Sequence, residues 1–135
     1  MASAQKKGAA IPASIRESVE RARAKAPPPP GPDPVPTYLA SVYREVMSWR
    51  ESDEWDSLKV DIQNYYKKHF HKRVRKDYFR FLIELSAGAY VSPQEKSKYV
   101  TVLRYARDSE VKPPEFHKFL RKQGGIKGCI KASKE

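Results

Sequence analysis

A single cysteine, Cys129, leaves the chain no means of building an internal disulfide framework, and fits a protein of a reducing compartment, cytoplasmic or nucleoid-associated and not secreted. No apolar run approaches the ~20 residues that span a bilayer, so no membrane insertion is expected. The N-terminal stretch lacks the apolar h-region of a secretory signal, and Glu17 and Glu20 oppose a transit peptide, a class that avoids acids. There is no alternation of apolar and polar residues of the kind that marks a half-buried strand, and no internal repeat.

Catalytic patterns are missing too. The chain contains no GxSxG, no HExxH and no phosphate-binding P-loop; Gly124-Gly125-Ile126-Lys127-Gly128 lacks the required spacing and reads as a helix stop followed by a helix start. His69 and His71 form an H-x-H pair, but no carboxylate or cysteine stands at ligand spacing and the neighbouring cations repel a metal, so neither metal nor cofactor is expected. Cys129 shares an apolar helical register with Ile126 and Ile130, which favours burial over a nucleophilic role with His117. With no converging acid, base and nucleophile, the expectation is a binding protein and not an enzyme.

What the sequence does have is positive charge, a net of +11 in 135 residues, unevenly spread. Residues 37–66 carry three cations against six acids, whereas residues 67–80 carry seven against one. A field of this sign concentrates polyanions, and so points to nucleic acid as partner or, as the alternative, to an acidic protein for which this chain would be an adaptor or inhibitor.

The chain divides at residues 27–36, where seven of ten residues are proline; the ring fixes φ and removes the backbone donor, so an extended spacer is expected there. Before it, residues 1–26 read as a largely disordered basic arm with Lys6, Lys7, Arg16, Arg21, Arg23 and Lys25, because the face made by Ile15, Val19 and Ala22 is too thin for a short helix to stand alone in water. After it, three-to-four spacing of apolar residues predicts a compact all-α domain over 37–132 with five or six short helices. These fall near 37–50, from Ser52 or Asp53 to the mid-60s, at 72–87, 93–109 and 113–123, with a last turn or two beyond. The sharpest start signal is Ser92-Pro93-Gln94-Glu95: an N-cap serine, a proline at the first helical position and a glutamate three residues after the cap.

Two stretches are candidate nucleic-acid contacts, with DNA the favoured ligand. The first comprises Lys67, Lys68, Lys72, Arg73, Arg75, Lys76 and Arg80; on a helix over 72–87, positions 72, 76 and 80 would share an outer stripe facing successive phosphates. The competing expectation is that the acids of 51–61 neutralise this cluster internally. The second comprises Lys118, Arg121, Lys122 and Lys127. The helices at 93–109 and 113–123 are spaced as a helix-turn-helix, although an ordinary αα-hairpin is the better expectation, since the turn at 109–112 has no glycine. Tyrosines interleave with the cations as a base-stacking platform would, but most fall on core stripes; Tyr66 and Tyr105 are the two left over for stacking.

Overall fold

The structure, a computed structural model, describes residues 13–26, 35–70, 77–87 and 91–134. Among them are seven α-helices and one 3-10 turn, and no strand. The helices are α1 (Ala13–Lys25), α2 (Val35–Glu51), α3 (Trp55–Phe70), α4 (Tyr78–Ser86), α5 (Pro93–Asp108), α6 (Phe116–Lys122) and α7 (Gly125–Ser133), with the 3-10 turn at Pro113–Glu115.

The all-α architecture agrees with the periodicity; the helix count exceeds the expected five or six, and the additional helix is α1. Residues 13–25 are not part of a disordered arm. Ile15, Val19 and Ala22, too thin a stripe to stabilise a lone helix, are fully buried between α2 and α4. A polar clasp holds the same face. Glu45 of α2, its side chain 6% exposed, accepts from Arg21 Nε and Nη2 and from Ser18 Oγ, each at 2.8 Å. Trp49 Nε1 in turn donates to Ser18 Oγ at 2.9 Å, and Arg23 donates to the Leu85 carbonyl in the last turn of α4. Burial alone would raise the Glu45 carboxyl pKa, but the bonds from Arg21 and Ser18 win and hold it below the ordinary value.

α2 is the hub, in contact with α1, α3, α4, α5 and α6. It begins at Val35, two residues inside the expected 27–36 spacer, because proline is tolerated in a first helical turn; the remaining spacer residues, 27–34, lie outside the described residues. Tyr38 OH donates to Ser86 Oγ on α4, whose own hydroxyl passes on to the Leu82 carbonyl. Tyr43 OH donates to the Val111 carbonyl at 2.6 Å, tying α2 to the segment between α5 and α6. Burial pushes the Tyr43 hydroxyl up to about 12 despite the nearby Arg107 and Arg50, so it remains a neutral donor at physiological pH.

α4 is apolar nearly all round, as suits a central helix: Phe79, Phe81, Leu82 and Ile83 are all buried. It begins at Tyr78, later than the expected 72, and the reason is Asp77, an N-cap whose Oδ1 accepts from Arg80 N at 3.2 Å. On α3, Tyr65 and Tyr66 meet Phe81 edge-on at 6.2 and 5.5 Å between ring centres. Tyr66 is therefore a core residue and not an exposed stacking platform. Tyr105 is half-buried against Phe119 at 5.7 Å.

α5 starts where the sequence signal places it, with Ser92 Oγ accepting from Glu95 N at 3.1 Å. The missing glycine after α5 is replaced by Glu110, which takes up the left-handed conformation at φ 60° and lets Val111 N bond back to the Ala106 carbonyl at 3.1 Å.

Candidate nucleic-acid interface

The C-terminal cations sit on a well-defined scaffold. Phe116 is buried with its ring 5.0 Å from Tyr43, and Leu120 is buried one turn on. With those two inside, Lys118, Arg121 and Lys122 come out together at i, i+3 and i+4, and all three are exposed. Gly124, at φ 90°, then turns the chain into α7, where Cys129 is buried and Lys127, Lys131 and Lys134 are exposed. Burial pushes the Cys129 thiol up, which disfavours its thiolate. None of these six cations forms an ion pair among the described residues.

The packing gives no support to a helix-turn-helix. α5 lies mainly on α7 and α4, while α6 lies on α2 and α7; the Tyr105–Phe119 contact links α5 to α6. Lys118, Arg121 and Lys122 are thus held chiefly by the packing of α6 on α2 and α7.

The first cluster is divided. Lys67 and Lys68 are exposed in the last turn of α3, where a cation also complements the helix dipole. Arg80 is engaged: its guanidinium lies 3.9 Å from Asp77 and 4.0 Å from Glu84 and donates to Ser97 Oγ at 3.3 Å. Lys72, Arg73, Arg75, Lys76 and His71 lie outside the described residues. Among those described, no ion pair links the acids of 51–61 to the 67–80 cations; the pair in that acidic segment is Lys59 with Asp56 at 3.3 Å.

The fold also collects cations that the sequence scatters. A cleft of about 740 Å³ opens between the C-terminus of α2, the first turns of α3, the N-terminus of α4 and the latter half of α5. Arg50, Lys59, Arg104 and Arg107 line it together with Trp55, Tyr78 and Phe79, and among the described residues Asp77 is its sole acidic wall residue. Arg107 lies over the Phe79 ring at 5.8 Å and pairs with Asp108, while Lys59 lies over Trp55 at 5.7 Å. Arg50 and Arg104 are exposed and, among the described residues, form no ion pair. The first two turns of α4 contribute the positive end of its dipole, partly countered by the Asp77 cap.

The cleft does not stop at Arg107. A shallower depression shares Arg50 and Arg107 with it and continues to Lys112; a third shares Lys112 and Val111 and ends at Lys118 and Lys122. Two of the sequence-predicted residues, Lys118 and Lys122, are thereby joined to Lys112 and to the four cations of the cleft, none of which sequence reasoning found. Arg50 and Lys59 were hidden inside a net acidic segment, and Arg104 and Arg107 showed only as an isolated i, i+3 pair. The depression also carries Glu51, Glu110 and Glu115.

Among the described residues, no group of three or more His, Cys, Asp or Glu is arranged to hold a metal ion, and no helix is long and apolar enough to cross a membrane. No protein-family model, no curated protein and no solved structure matches the chain.

Proposed function

We propose that this protein binds nucleic acid as an accessory or regulatory factor, by contact and not by catalysis. The observation that carries the reading is the exposed triplet Lys118, Arg121 and Lys122, unpaired among the described residues, of which Lys118 and Lys122 line a depression that runs on through Lys112 towards the cations of the α2–α5 cleft. Arg contributes bidentate phosphate contacts and Lys point charges, and exposed cations without acidic partners can trade bulk counterions for phosphates at little structural cost. Lys67, Lys68 and Lys127 extend the footprint.

The test is binding of labelled DNA, duplex and unpaired, at two salt concentrations. Log K should fall linearly with log salt, with a slope of about −0.7 to −0.9 per phosphate engaged. The triple change Lys118→Ala, Arg121→Ala, Lys122→Ala should flatten that slope by about 2 without loss of helical signal, since each removes one exposed phosphate contact. No detectable binding at ~50 mM salt, where even non-specific phosphate contacts register, would sink the reading and leave an acidic protein as the partner to seek.

A further inference from the structure

We infer that the α2–α5 cleft receives a nucleotide of an unpaired strand, its base against Trp55 and its phosphate among Arg50, Arg104 and Arg107. The inference rests on the nucleic-acid reading above and narrows it to a substrate class.

The cleft is the size of a small-ligand site, within the roughly 300–1,000 Å³ typical of such pockets. It pairs an aromatic wall with a cationic rim, the combination that holds single strands by stacking and backbone contact. A base inside a duplex has both faces covered, so only an unpaired nucleotide can enter a recess; duplex phosphates reach convex surfaces such as the outer face of α6. Of the three aromatic rings, Trp55 is the available one. Phe79 is buried between Tyr43, stacked at 5.8 Å, and Arg107. Tyr78 is buried with its ring at 72° to that of Trp55, 4.9 Å away, and so fixes the indole. The group over the indole is the Lys59 ammonium at 5.7 Å, carried on a half-exposed flexible stem. An arriving base would displace it, and the freed ammonium would swing towards the phosphate. Asp77, the one acidic wall residue among those described, is occupied with capping α4 and pairing with Arg80.

Trp55 also supplies the readout. The other tryptophan, Trp49, is 4% exposed and bonded to Ser18, and gives a constant background. The full chain is titrated with a short oligothymidylate, with a duplex of the same length and with thymidine monophosphate, following tryptophan emission and the anisotropy of labelled strands. The oligothymidylate should bind and quench the Trp55 emission, while the duplex binds without quenching. The double change Arg50→Gln, Arg104→Gln, at two exposed positions, should weaken the oligothymidylate about tenfold and leave the duplex within about twofold, because only the former uses the cleft. Trp55→Phe, which keeps an aromatic wall, should abolish the quenching and retain most of the affinity. Binding of the oligothymidylate without quenching, or equal weakening of both ligands by the double change, overturns the inference while leaving the α6–α7 reading intact. Quenching by the monophosphate at the same concentration as by the strand overturns it in favour of a free nucleotide. Failure of both nucleic acids to bind removes the function and the inference together.

Discussion

Replacing Arg21 by alanine strands the Glu45 carboxylate. That group is almost fully enclosed, and two of its three hydrogen bonds come from the Arg21 guanidinium. What remains is Ser18 Oγ at 2.8 Å and Arg44 Nη2 at 3.8 Å, the latter on an exposed side chain. Breaking a buried ion pair from one side costs about 3–5 kcal/mol. The Arg21 end is 52% exposed, so solvent already screens part of the interaction, and the expected loss is about 2–3 kcal/mol. For a domain of this size that corresponds to a fall in Tm of about 10–15 °C. The pH dependence gives the sharper check. In the native protein the Glu45 pKa is depressed, so its stabilisation is complete above the unfolded carboxyl value and disappears as pH falls through the lower folded value. Without Arg21, burial dominates and the folded pKa rises above the unfolded one. The penalty is then largest at neutral pH and is relieved as pH falls through the raised value and the carboxyl is protonated. Urea unfolding followed by circular dichroism at several pH values between 7 and 5 should show the gap between native and variant closing as pH drops. A gap below about 0.5 kcal/mol, or one that stays constant over that range, would refute the claim that this pair holds α1 to the body.

Two further substitutions test the C-terminal scaffold. A Cβ at Gly128 would stand 1.7 Å from the Gln123 carbonyl oxygen, so Gly128→Ala should force α6 and α7 apart and cost about 2–3 kcal/mol by urea unfolding; an unchanged midpoint would contradict the close approach. Cys129, buried with a raised pKa, should react with a thiol reagent only as fast as the chain opens; labelling of the native protein at the rate of a free thiol would show α7 undocked.

Where a local pattern decides an element, the sequence was legible. The Ser92 to Glu95 signal depends on residues within one turn, and α5 begins there. The apolar register of Cys129 could likewise be read from spacing, and Cys129 is buried. Where the decision is tertiary, the sequence was silent. α1 is a weak helix stabilised by a carboxylate 24 residues away, and no spacing rule links Arg21 to Glu45. The start of α4 turned on a single cap, Asp77, in a run of cations that otherwise looked helical. The cleft draws on residues from Val46 to Arg107, and its cations come together only when the three helices that carry them have packed.

That dispersal ties ligand capture to the folding equilibrium. No fragment of the chain holds Arg50, Lys59 and Arg104 in one place, so whatever occupies the cleft binds the native state and not the unfolded one. Such a ligand raises stability by about 2.7 kcal/mol at a hundred times its Kd. That is large enough to appear as an upward shift of the melting curve. The protein can therefore report its own ligand: a thermal-shift survey of nucleotides and oligonucleotides would rank candidates without a label, and peptides cut from the chain would lack the cleft altogether.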